Sequence, residues 1–135
     1  MRRNFAVMAL LIGFLTSCAS FHYQDLENLQ RERNGIRLTL SNIPPQLHVG
    51  KNLFQANLTD ASGEPIVDAL VTFYYRMGHM SFLMPHAEKA DMPHPGVYEA
   101  EANLNMGGEW DVTVEVERAG RPTIREEFVV SAGSM

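Results

Sequence analysis

From Ile36 onward apolar residues recur at every second position, and that period decides which folds are open to this chain. Ile36, Leu38 and Leu40 alternate with Arg37 and Thr39, and Phe54, Ala56 and Leu58 repeat the pattern. Ala69, Val71, Phe73, Tyr75 and Met77 share a face; so do Tyr98, Ala100, Ala102 and Leu104, then Trp110, Val112, Val114 and Val116, then Ile124, Phe128 and Val130. In a strand, alternate side chains leave opposite faces, so each segment can bury one side and wet the other. Turn-forming residues separate the segments: Pro44-Pro45, Asp60-Ala61-Ser62-Gly63, Pro93-His94-Pro95-Gly96 and Arg118-Ala119-Gly120-Arg121. Nothing longer than two turns has a helical period. With a short edge strand over residues 86 to 92, about seven strands result. The pattern predicts an all-β fold, an immunoglobulin-like antiparallel β-sandwich over residues 36–131, with a tail at 132–135. Trp110, Val112, Val114, Phe73 and Tyr98 are expected inside it.

The first 17 residues read as an export signal. Arg2 and Arg3 precede an apolar run from Phe5 to Leu15 that is short for a membrane span. The run ends in Leu15-Thr16-Ser17-Cys18, which resembles a bacterial lipobox. Cys18 is the only cysteine, and lipidation accounts for a thiol that would otherwise stand unpaired in an exported protein. Residues 18–35 are polar, and we expect them to be a lipidated, flexible tether. Ala19 is not the aspartate that retains lipoproteins at the inner membrane. In a Gram-negative host this predicts an outer-membrane lipid anchor on the periplasmic side.

Removing the leader leaves 118 residues, enough for one domain. They carry 9 basic against 16 acidic residues, a balance that speaks against nucleic acid and against anionic headgroups as partners. With one cysteine there is neither a disulfide framework nor a thiolate metal site. An enzyme is not expected. The chain has no Gly-x-Ser-x-Gly elbow and no phosphate-binding glycine loop, and His86-Ala87-Glu88 lacks the Pro-Cys-x-x-Cys half that a zinc deaminase needs.

Four of the eight methionines and three of the five histidines fall between Met77 and His94. Thioether sulfur and imidazole nitrogen together favour soft and borderline metals, copper(I) above all. The plainer reading is that Met80, Phe82 and Met84 alternate along one face of a strand. If strands alternate in direction, the loops at 42–51, 78–85 and 105–108 share one end of the sandwich. That end gathers His48, His79, Met80, Met84 and Met106, with Met77 and His86 at the adjoining strand ends. Met92 and His94 go to the other.

Several segments together resemble the YtkA-like family, which includes the domain of FixH-type envelope proteins. They are Asp60-Ala61-Ser62-Gly63-Glu64-Pro65 leading to Ala69-Leu70-Val71-Thr72-Phe73, then Met77-Gly78-His79-Met80 and Met84-Pro85-His86. Pro95-Gly96-Val97-Tyr98-Glu99-Ala100 and Leu104-Asn105-Met106-Gly107-Gly108-Glu109-Trp110 follow. The resemblance implies an envelope β-sandwich in settings of copper handling, heavy-metal efflux or oxidase assembly, with Met80, Met84 and Met106 as thioether donors. His86 joins them as a candidate ligand, and His79 is the next. A copper-transporting or oxidase-assembly protein would then be the partner. A metal-free adaptor, tethered to an envelope complex and using the methionines as an adaptable contact surface, stays open beside it.

Overall fold

The computed structural model describes residues 29–80 and 84–133, with His79 described in its backbone alone. Cys18, the leader, the first part of the tether and residues 81–83 of the 80–84 alternation lie outside the described residues. Among the described residues nine strands make two antiparallel sheets. They are β1 (Leu29–Arg33), β2 (Ile36–Ile43), β3 (Gly50–Asp60), β4 (Ala69–Met77), β5 (His86–Lys89), β6 (Asp91–His94), β7 (Val97–Leu104), β8 (Gly108–Arg118) and β9 (Ile124–Ala132). One sheet runs β1-β2-β3-β7-β6 and the other β5-β4-β8-β9. Among the described residues no helix is long and apolar enough to cross a membrane.

The predicted inward faces meet between the sheets. Phe54, Phe73, Trp110, Phe128, Leu38, Leu58, Val112 and Val114 are all essentially buried. Phe54 packs against Phe73 and Tyr75 with centroids 5.8 and 5.7 Å apart. Each large buried side chain contributes about 1.5–3 kcal/mol through removal of apolar area from water. Tyr98 is buried with its hydroxyl satisfied: it donates to the Ile66 carbonyl at 2.9 Å and accepts from the Ala69 amide at 3.3 Å. That pair ties the β3–β4 connection to the core.

Two departures from the sequence reading explain the extra strands. Residues 29–33, expected within the flexible tether, form β1 and pair with β2 from Leu29↔Leu40 to Arg33↔Ile36. Asn34 and Gly35 both have positive φ, 53° and 73°, the two-residue turn that an Asn-Gly pair favours between antiparallel strands. The single edge strand expected at 86–92 is divided: β5 pairs with β4 in one sheet, and β6 pairs with β7 in the other. Between them the Ala90 amide donates to the Val71 carbonyl at 2.9 Å, so the chain changes sheets there and closes one open side of the sandwich. On the other side β1 leans over β9. Arg33 Nε lies 2.6 Å from Glu126, and the Arg31 guanidinium sits 5.1 Å from the Phe128 ring centroid. β9 also runs to Ala132, one residue past the expected boundary, and Gly133 bridges to His48.

Candidate metal centre

Antiparallel order puts the C-terminal ends of β2, β4, β7 and β9 and the N-terminal ends of β3, β5 and β8 at one end of the sandwich. The register fixes this: Gly50 pairs with Leu104, Met77 with Trp110, Tyr75 with His86 and Gly108 with Ala132. A cleft of about 70 Å³ opens at this end, lined by Arg76, Met77, Met80, Met84, His86, Asn105, Met106 and Trp110. Four methionines and one histidine, four of the five from residues 77–86 and Met106 from the distant β7–β8 turn, therefore face one space. Met80, Met84, His86 and Met106 are among them, as their grouping at one end predicts.

Each of these side chains is held differently. Met77 is the last residue of β4 and only 6% exposed; it was expected at the strand end but not as a donor. A Cβ on Gly108 would sit 3.5 Å from its terminal methyl, so the β7–β8 turn lies directly against it. Met80 ends a single 3-10 turn, Gly78–Met80, and packs partly buried against the core. Met80 belongs to that turn, and Met84 to no described strand. Met84 follows with 90% of its surface exposed, and Met106 is 47% exposed. His86 opens β5 opposite Tyr75 and stacks on its ring, with centroids 5.1 Å apart and planes 21° from parallel.

The cleft rests on packed, hydrogen-bonded side chains. Trp110, 2% exposed, donates from Nε1 to the Met106 carbonyl at 3.1 Å, which pins the turn that presents Met106. Tyr75 packs against Trp110 at 6.1 Å and accepts the Asn103 amide on its hydroxyl at 3.4 Å. Burial, above all, pushes the Tyr75 phenol above its ordinary value, so the ring under His86 stays neutral. At the rim Arg76 is 3.7 Å from Asp111, which partly offsets a cation that would otherwise oppose an incoming metal ion.

The remaining candidates go elsewhere. His48 shares this end but does not line the cleft, because its loop folds onto Asn52. The His48 amide donates to Asn52 Oδ1 at 3.2 Å, and Asn52 Nδ2 returns to the His48 carbonyl at 2.7 Å. Met92 and His94 lie on β6, where His94 pairs with Val97 at the opposite end. The side chain of His79 and all of Cys18 fall outside the description. Among the described residues no three His, Cys, Asp or Glu side chains are grouped to hold a metal. The donor set of the cleft is thus thioether with one imidazole, a poor match to calcium or magnesium, which take oxygen, and to structural zinc. It suits a soft monovalent ion.

A family model described as YtkA-like matches residues 30–115 of the chain. Among solved structures, the chain is similar to the PmoD soluble domain from Methylocystis sp. (Rockwell). The TM-score is 0.55 at 10% identity, over 79% of this chain and 98% of that one. A DUF4426 family protein from Pseudomonas aeruginosa PAO1 is similar with a TM-score of 0.54 at 10% identity, over 76% of this chain and 94% of that one. At such identities the likeness is one of fold. No curated protein matches the chain in sequence.

Proposed function

We propose that this chain, which belongs to the YtkA-like family, is an envelope lipoprotein that binds copper(I) as cargo in the methionine-lined cleft. The observation that carries the reading is the convergence of Met77, Met80, Met84, Met106 and His86 on one space. Thioethers are neutral at every accessible pH and have no proton to lose, so sulfur ligation of copper(I) persists across a wide pH range. The imidazole of His86 adds one nitrogen donor to the thioethers. No bond to carbon is made or broken and no electron moves. The chain holds an ion and releases it.

Three features of the protein's own residues support retention. Met77 and Met80 are packed, the Trp110 hydrogen bond fixes the Met106 turn, and Tyr75 orients the His86 ring. Donors already ordered by folding lose little rotamer freedom on binding, which favours affinity. Lipidation at Cys18 would keep the domain at the membrane, where a copper-transporting or oxidase-assembly protein could receive the ion; an outer-membrane position on the periplasmic side follows from Ala19.

Anaerobic titration with copper(I) against a competing chelator tests this reading. The wild-type chain should compete for one ion, and a Met80→Leu, Met84→Leu double variant should lose most of that affinity. A wild-type chain that leaves all copper(I) with the chelator would sink the proposal. A partner protein captured equally well with copper chelated would favour the metal-free adaptor instead.

A further inference from the structure

Burial is unequal among the four cleft methionines, and the inequality divides their labour. Met77 is 6% exposed and Met80 packs against the core, whereas Met84 is 90% exposed while still lining the same cleft. Resting on the copper(I) reading above, we infer that Met84 is the transfer ligand of this site. It meets the ion on its way in and passes it out, and the packed donors hold it in between.

Entropy and geometry both single out Met84. An exposed methionine samples all of its rotamers, so drawing its sulfur onto an ion costs conformational freedom that Met77 and Met80 have already lost on folding. Met84 therefore adds least to the equilibrium affinity. Its position gives it the most reach: its sulfur is in water, and it is followed by Pro85 and then by His86, a second donor of the cleft. Copper(I) has few ligands and exchanges them by adding the incoming donor before losing the outgoing one. In the step proposed here, a Cu–S bond to Met84 forms as a bond to the delivering donor breaks, and on release the order reverses. The ion remains copper(I), and no proton or electron is transferred.

A residue that touches the ion only along the path lowers the barrier equally in both directions. Its loss slows loading and release together and leaves their ratio unchanged. Met84→Leu is a safe probe, since a leucine in place of a solvent-exposed methionine disturbs no packing.

The full-length lipidated protein in detergent, loaded anaerobically with copper(I), is mixed with an excess of a chromogenic copper(I) chelator in a stopped-flow instrument. Equilibrium competition is measured on the same samples. Met84→Leu should slow transfer by roughly tenfold or more while its equilibrium affinity stays within about threefold of wild type, the pattern of a changed barrier rather than a changed well. Met80→Leu should instead weaken equilibrium affinity and speed release. If Met84→Leu weakens affinity as much as Met80→Leu does, Met84 is an ordinary holding ligand and the inference is wrong. If it changes neither quantity, Met84 is a bystander and the inference is equally wrong, while the copper(I) reading survives in both cases. A wild-type protein that retains no copper(I) overturns the copper(I) reading itself.

Discussion

Replacing Gly96 by alanine should be among the more damaging single changes available in this fold, and Gly120 supplies its control. Both glycines have left-handed backbones, with φ of 74° and 70°. An L-residue in that region costs about 1–2 kcal/mol, so this penalty is common to the two sites. They differ in surroundings. A Cβ on Gly96 would lie 2.7 Å from Pro65 Cβ and 2.9 Å from the Leu58 carbonyl oxygen, while a Cβ on Gly120 would meet nothing within 4 Å. The crowded point is a junction: the Leu58 amide donates to the Gly96 carbonyl at 2.8 Å, and the Ile66 amide donates to the Leu58 carbonyl at 3.0 Å. Backbone cannot step aside as a flexible side chain can, so overpacking there adds about 1–3 kcal/mol. Gly96→Ala should therefore cost about 2–5 kcal/mol in total and Gly120→Ala only about 1–2. Urea unfolding of both variants, read at a constant slope against denaturant, measures the difference. Equal losses, within about 0.5 kcal/mol, would show that the β3–β4 connection does not approach the β6–β7 turn as closely as described.

Three further outcomes are expected. Arg33→Ala should destabilise by about 1–3 kcal/mol in urea unfolding, since it leaves the buried Glu126 carboxylate without its 2.6 Å partner, the lower values reflecting an arginine that is mostly in water. Hydrogen bonding from Arg118 holds the Asp68 carboxyl below its ordinary 3.8, and the Ser62 hydroxyl does the same for Asp60. The stability these two contribute is complete above the ordinary carboxylate value and is lost as pH falls through the lowered ones, so Asp68→Asn should flatten the acid limb of a stability-against-pH curve. Cys18→Ser should leave the protein without lipid, and intact mass of the membrane fraction would decide it; an unmodified Cys18 in the wild type would refute the anchor.

The sandwich was legible because its central strands each present one apolar face, as Trp110, Val112, Val114 and Val116 do against Asp111, Thr113 and Glu115. β1 was not, and β5 and β6 read as one edge strand rather than two, for the opposite reason. Their residues are almost all exposed, so no alternation marks them, and only the Asn34-Gly35 pair signalled the hairpin at β1. The cleft was partly legible too. Antiparallel order alone brings Met106 to the end that carries Met80, Met84 and His86. Met77 escaped notice as a donor because it sits in phase with Phe73 and Tyr75 and reads as core, and it proves to be both core and cleft wall. His48 was placed at the correct end but not at the cleft, because the Asn42–Asn52 hydrogen bond at 3.1 Å and the bridge to Gly133 hold its loop, which no periodicity encodes.

In the copper(I) reading proposed above, sulfur from methionine, rather than nitrogen or oxygen, holds the cargo ion. X-ray absorption at the copper edge of the anaerobically loaded protein measures this directly, because sulfur and the lighter donors scatter with distinct phase and distance. Methionine ligation predicts a copper(I) edge, a first shell dominated by sulfur with no more than one nitrogen, and loss of sulfur scattering in the Met80→Leu, Met84→Leu variant. A first shell made only of nitrogen and oxygen would contradict it.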